Sequence, residues 1–347
     1  MKKFAYIALI LNIGWFALAL PNAASAQESS CRALSTERNQ AILLDKSGQY
    51  CLQNDISIDN AGILVAHGRD RPYFAAEIVQ DNIQLDLKDH VIQSGDSTNG
   101  VIIQNQTASN LAPQQVTLRN GRIHSLTWGI SSGFSNIVVL SDLGDPLDRI
   151  ASAEGKSEKE LAELREHIRE RDLPTLARAT AARPLKPSEY QRRHIRLENL
   201  HILVRGIPSG QGAGGGGINI QGDGTIIRDC LIETDDGNAI WIYGPNAVIE
   251  NNIIIVHGRN RLREADAAIR LIQGDGATIR GNKFIIKDKA NRRGISTFDT
   301  GVINVEGNTF YGLTPQDEIA KAFIGTLQMQ ERENRFEPEW KAVFLAK

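Results

Sequence analysis

The apolar positions of this chain fall in short alternating runs, and the runs recur. Blocks of the form apolar-x-[Asn/Asp/Gly]-x-x-[Ile/Val/Phe] occur at 87–92 (LKDHVI), 118–123 (LRNGRI), 197–202 (LENLHI), 227–232 (IRDCLI), 249–254 (IENNII), 279–284 (IRGNKF) and 305–310 (VEGNTF). Their starts are 31, 79, 30, 22, 30 and 26 residues apart. A second block follows in most units, at 129–130 (GI), 217–220 (GINI), 239–242 (AIWI), 268–271 (AIRL) and 294–297 (GIST). Each unit therefore holds several strands of three to five residues, alternating with period two and separated by Gly, Asn and Asp. No helical stripe sits between them, which excludes an ordinary strand-helix-strand sheet.

Short strands at a period of 22–31 residues predict a solenoid, each winding lying on the one before with its strands paired in parallel. Asn252, Asn282 and Asn308 hold the same place in three successive units, and Cys230 holds it one unit earlier. Stacked asparagines bond to one another and tolerate the left-handed turn a corner needs. Cys230 then reads as a buried stacking residue, not a nucleophile. A β-sandwich is the rival architecture; the common register and the asparagine column argue against it.

The one long spacing contains a segment of different composition, 145–193. Its Ser157-Glu158-Lys159-Glu160 resembles a capping box, and Leu161, Leu164 and Ile168 keep a helical stripe until Pro174. This predicts a helical insertion, either a lid or a packing ornament. At the other end Thr314-Pro315 starts a second expected helix through Ile319, Phe323 and Leu327, and the tail with Trp340, Val343, Phe344 and Leu345 is expected to cap the open solenoid end.

The first residues carry an address. Lys2 and Lys3 precede an apolar run over 4–20, and Ala24-Ser25-Ala26 follows, the layout of a secretory signal cut before Gln27. An N-terminal membrane anchor is the alternative. The organisation expected is thus a signal at 1–26, a solenoid over 27–312 and a capping tail over 313–347. No second long apolar stretch follows, so no integral membrane segment is expected after cleavage, and the product belongs in a periplasm or outside the cell. That compartment permits a disulfide between Cys31 and Cys51, twenty positions apart. Among the 347 residues 41% are hydrophobic and 23% charged, which excludes a disordered chain and a multi-span membrane protein. Thirty-nine Lys and Arg against forty-one Asp and Glu give no electrostatic reason to expect nucleic acid as a partner.

Register turns the repeat into a map. Ile218, Ile220, Ile240, Ile242, Ile269 and Leu271 point inwards, so Asn219, Trp241, Arg270 and Ser296 form an outward column, with Gln221, Tyr243, Ile272 and Phe298 beside it. Aromatic rings flanked by amides and a guanidinium suit an acidic sugar: the rings stack on the pyranose and the Arg grips a carboxylate at two points. The turns into this strand gather ionisable groups along one edge. These are Asp235 and Asp236, then His257, Arg259, Arg261, Arg263, Glu264 and Asp266, then Asp288, Lys289, Arg292 and Arg293.

The repeat, together with 48–52 (GQYCL) and 85–92 (LDLKDHVI), resembles the right-handed parallel β-helix proteins, the superfamily of pectate lyases and polygalacturonases. The likeness covers roughly 45–142 and 194–312. It implies an all-β, right-handed parallel β-helix, here with a helical insertion and a helical C-terminal cap. Asp235-Asp236-Gly237-Asn238-Ala239-Ile240 is similar to the D-D-x-x-A-I motif of polygalacturonases, where the acids perform inverting hydrolysis, and His257-Gly258 is similar to their His-Gly. The chain departs from that pattern twice: Asp266-Ala267, not the histidine, precedes the next strand, and 214–217 holds no aspartate. In a lyase reading Arg270, Arg292 or Lys283 would be base or clamp, and Asp235, Asp236, Glu264 or Asp266 would hold Ca²⁺. No zinc spacing, serine elbow or phosphate loop is present. Two functions stay open: an enzyme acting on an anionic polysaccharide, as lyase or glycoside hydrolase, and a non-catalytic β-helix that binds glycan or scaffolds an envelope assembly.

Overall fold

A computed structural model describes residues 31–58, 74–95, 99–103, 114–126, 128–132, 194–205, 216–235, 238–257, 267–287, 293–298, 300–315, 323–325 and 328–340. The signal segment, the 145–193 insertion, and Asp236, Glu264, Asp266 and Arg292 lie outside them.

Within these residues every regular element is a strand, and every pairing between strands is parallel to an equivalent strand in a neighbouring winding. One winding shows the plan. Ile240–Tyr243 lies on the first face, a short turn leads to Val248–Glu250 on the second, a tight corner leads to Ile253–Val256 on the third, and a variable turn returns the chain to the first. The first face is a sheet of nine such strands, from Ile42–Leu44 to Phe323–Gly325. The long 79-residue spacing leaves the stack unbroken: Ile130 pairs with Ile218, and Leu118 with Leu197, so the windings on either side of it touch directly.

The core is a set of files running along the axis. Ile123, Ile202, Ile232, Ile254, Phe284 and Phe310 are all inaccessible to solvent, each burial worth roughly 1.5–3 kcal/mol. Phe284, Phe310 and Phe336 stack with centroids 4.4 and 5.3 Å apart. At the corner between the second and third faces the expected ladder forms. The Oδ1 of Asn282 accepts from the backbone N–H and side-chain amide of Asn252, both at 2.9 Å, and Asn282 bonds in the same way to Asn308. Cys230 heads the file, buried, its N–H donating to Asn252 Oδ1 at 2.9 Å. Burial lifts its thiol to about 12, so it is inert at neutral pH. The left-handed bend falls one residue before the ladder, at Asn120, Asn199, Asp229, Asn251, Gly281, Gly307 and Glu333, with φ between 49° and 64°. The small or polar side chains there fit the sterics of that region.

The C-terminal end differs from the sequence expectation. No helix runs through Phe323: Phe323–Gly325 pairs with Ile295–Thr297 on the first face. Gln328–Arg332 and Arg335–Glu337 extend the other two faces. Asn334 continues the asparagine ladder, accepting from Asn308 at 3.0 Å. The stacking of one more Asn and one more Phe on an existing file outweighs the local helix signal at Thr314-Pro315. The solenoid therefore runs past 312 to 337. The first block keeps its end and shifts its start: Ile92 pairs with Ile123 as expected, but Leu85, not Leu87, pairs with Leu118.

The second face carries a pattern of its own. Its outward file reads Asp86, Arg119, Glu198, Arg228, Glu250, Arg280, Glu306, Arg332, each registered on the next. Charges alternate in sign along all eight windings, with Arg119 Nε 3.1 Å from Asp86, Arg228 2.9 Å from Glu198 and Arg280 Nε 2.7 Å from Glu250. At the N-terminal end a disulfide joins Cys31 to Cys51, the strand Arg32–Leu34 pairing with Tyr50–Leu52.

Candidate functional site

On the first face the expected column forms in register: Asn219 beside Trp241, Trp241 beside Arg270, Arg270 beside Ser296. The Arg270 guanidinium carbon stands 4.8 Å from the centre of the Trp241 ring, a cation–π stack. Gln221, Tyr243, Ile272 and Phe298 form the companion file in the same windings. The expected exposure differs. Asn219 and Ser296 are buried, Arg270 is 5% exposed and Tyr243 only 2%, while Trp241 is half-buried and Phe298 is 42% exposed. Tyr243 and Ile272 pack together with Trp241 against them as a small apolar cluster outside the main core. One face of Trp241 is thus taken by Arg270.

Trp128 completes this site, and the sequence map missed it. It sits at the turn into the first-face strand Ile130–Ser132, half-buried, its ring 6.3 Å from that of Trp241. A winding lies between them, and Gly216 is what lets them meet: a Cβ at Gly216 would come within 2.5 Å of the Trp128 ring. The signal available was Trp128-Gly129-Ile130 standing where Gly216-Gly217-Ile218 stands in the next unit.

The acidic edge resolves into a different grouping. Asp235 and His257 share one file at the end of the third face, where the backbone N–H groups of Arg205, Asp235, His257 and Lys287 donate to Ser125, Val204, Thr234 and Val256. Asp235 is 4% exposed, and Arg205 approaches its Oδ1 at 3.7 Å. His257 Nε2 lies 2.6 Å from the Oε1 of Glu233 on the preceding winding. Burial opposes charge on Glu233, but the hydrogen bond and charge of His257, with Arg205 and Lys287, outweigh it and hold the carboxyl below its usual range. A carboxylate holding an imidazole by one nitrogen fixes that ring for proton transfer. Glu233, like Trp128, escaped the sequence map, although Leu231-Ile232-Glu233-Thr234 has the alternation that turns it outward. Further along the third face stand His124 and His201, their rings edge-on with centroids 6.0 Å apart.

Arg293 stands at the turn into Ile295–Phe298, its carbonyl accepting from Ala268. Lys283 begins the third-face strand Lys283–Ile286, paired with Ile253 and Thr309, so it does not join Arg270 on the first face. Among the described residues no group of three His, Cys, Asp or Glu side chains could hold a metal ion, and the calcium expectation at Glu264 and Asp266 falls outside them. No helix of the described residues is long and apolar enough to cross a membrane.

Comparison with known proteins agrees with the architecture. The family described as right handed beta helix region matches residues 201–320, and the chain is a right-handed parallel β-helix, the hand that parallel crossovers take. No curated protein matches the chain. Among solved structures, the Streptococcus pneumoniae surface protein and adhesin PfbA is similar with a TM-score of 0.36 and 10% identity, over 88% of this chain and 78% of that one. A superposition that loose carries no weight for function.

Proposed function

We propose that this protein binds an acidic polysaccharide outside the cytoplasm along its first face, and that it holds the polymer without cleaving it. The supporting observation is the pair of half-buried tryptophans, Trp128 and Trp241, 6.3 Å apart across the windings with the Arg270 guanidinium stacked on one of them. Two indole rings offer stacking area at low entropic cost, and a guanidinium behind one of them adds a positive field that favours uronates or sulfated sugars. Binding without turnover is favoured by the state of Asp235, the described member of the expected acid pair, which is buried against Arg205. The A-x-A segment and the Cys31–Cys51 disulfide support the location.

Affinity electrophoresis through gels containing a polyuronate, a sulfated glycan or a neutral glucan tests the reading. Retardation by the acidic polymers, reduced about two- to twelvefold in Trp241→Ala and in Trp128→Ala, is expected, since one aromatic contact is worth about 0.5–1.5 kcal/mol. Equal mobility in all gels would sink it. An enzymatic reading has one observation in its favour, the Glu233–His257 pair, whose fixed imidazole suits a base for hydrolysis or elimination. New unsaturated or reducing ends that vanish in His257→Gln would establish that reading instead.

A further inference from the structure

We propose that Arg122, His124, His201 and Arg205 form an oxyanion-binding site on the third face, away from the tryptophans, that fills as the solution turns acid. The two imidazoles sit on adjacent windings, 6.0 Å apart. The Nε2 of each is closed off from solvent and makes no hydrogen bond. Paired buried nitrogens of that kind call for an explanation. Arg122 is registered directly on His201, and Arg205 follows the same strand out of Val204, both exposed.

The carboxylates around the pair are already engaged by other groups. Gln93, registered on His124, is neutral. Glu233 on the next winding is already held by His257 at 2.6 Å. Asp55 accepts from His90 at 3.1 Å and from the Val91 N–H at 2.9 Å, and Asp235 faces Arg205 at 3.7 Å. Lys287 adds a further cation beyond Glu233. Burial first, then the other imidazole and the two arginines, push His124 below its ordinary range. Burial does the same to His201 against the pull of Glu233, with Arg122 and Arg205 adding to it. Such a setting resists a proton alone and accepts a proton together with an oxyanion, because the anion cancels the repulsion between the cations. Proton and anion binding are then linked, each favouring the other. The ligand chemistry is a sulfate, phosphate or carboxylate group, free or carried on a glycan.

Calorimetric titration of the full chain with sodium sulfate and with a sulfated oligosaccharide, at pH 5.5 and 7.5, alongside imidazole NMR shifts, tests this. Sulfate is expected to bind about tenfold or more tightly at the lower pH, to move the His124 and His201 resonances, and to bind about tenfold more weakly to Arg205→Gln. Trp241→Ala should leave it unchanged, which separates this site from the first-face reading. Tighter binding of the oligosaccharide than of sulfate would assign the site to a polymer, and equal binding to a free ion. No binding at pH 5.5, equal affinity at both values, or indifference to both Arg205→Gln and His201→Gln would overturn the proposal. Should His201→Gln fail to fold, the exposed Arg205 variant and the resonance shifts still decide it.

Discussion

Replacing Asn282 with Ala removes the middle rung of the corner ladder. Asn282 is inaccessible to solvent and makes four side-chain bonds: from the Asn252 N–H and the Asn252 amide at 2.9 Å each, to the Ile249 carbonyl at 2.8 Å and to Asn308 Oδ1 at 3.0 Å. The alanine strips two buried donors of Asn252 of this acceptor. Leaving a buried group unsatisfied costs roughly 1–3 kcal/mol, so the two donors together set a loss of about 2–6 kcal/mol. That is a large part of the 5–15 kcal/mol typical of folded domains. Asn334→Ala is the matched control, since Asn334 is only half-buried and its loss exposes Asn308 donors that water reaches more readily; about 1 kcal/mol is expected there. Urea denaturation with a common slope gives both values from the midpoints. If Asn282→Ala shifts the midpoint no more than Asn334→Ala, the ladder is not a source of stability and the reasoning fails.

Two further outcomes follow from the charge distribution. Glu250→Arg places three guanidinium groups in a row, Arg228, position 250 and Arg280, and should cost about 1–2 kcal/mol from lost and reversed pairs on a half-exposed face; the loss should shrink in 1 M salt, and a loss indifferent to salt would point to packing instead. Stability should fall in acid in two stages, read as urea midpoint against pH. His124 and His201 are depressed in the fold, so their contribution is whole above the ordinary imidazole value of about 6.5 and is lost as pH falls through the lowered values. Asp55 is depressed chiefly by the Val91 N–H. Glu233 is depressed because His257, Arg205 and Lys287 together outweigh its burial. Both contributions are whole above the ordinary carboxylate value of about 4 and are lost below it.

The fold was legible because a solenoid writes its geometry into period. Each winding must place an apolar residue on the file below and a turn-forming residue at the corner, so 249–254, 279–284 and 305–310 spell the same sentence. Where the spelling slips, the reading slips. Glu331-Arg332-Glu333-Asn334-Arg335-Phe336 is one more unit, with Asn and Phe in their places, but Glu331 stands where the others have an apolar residue. At the last described winding that position demands less burial, and the pattern was hidden. The outward column of the first face was equally readable, since register alone fixes it. Its burial was not. Whether an outward side chain meets water depends on what crosses it, and no periodicity carries that information; Arg270 and Tyr243 show the gap. Trp128 shows the converse, a contact made across a winding because Gly216 has no side chain.

The near-balance of acid and base in the composition also acquires a meaning. In the repeated hexapeptides the second letter alternates between Arg and Glu from Arg119 to Arg332, and the fold stacks those letters into one file. A polyanion laid along that second face would gain little, because each interior guanidinium already has a carboxylate on either side and would have to surrender one to accept another. The neutral ladder thus acts by exclusion. It leaves the first face, where Arg270 stacks on Trp241 beside Trp128, and the third, where Arg122 and Arg205 flank two imidazoles, as the places where an acidic ligand meets cations outside that ladder.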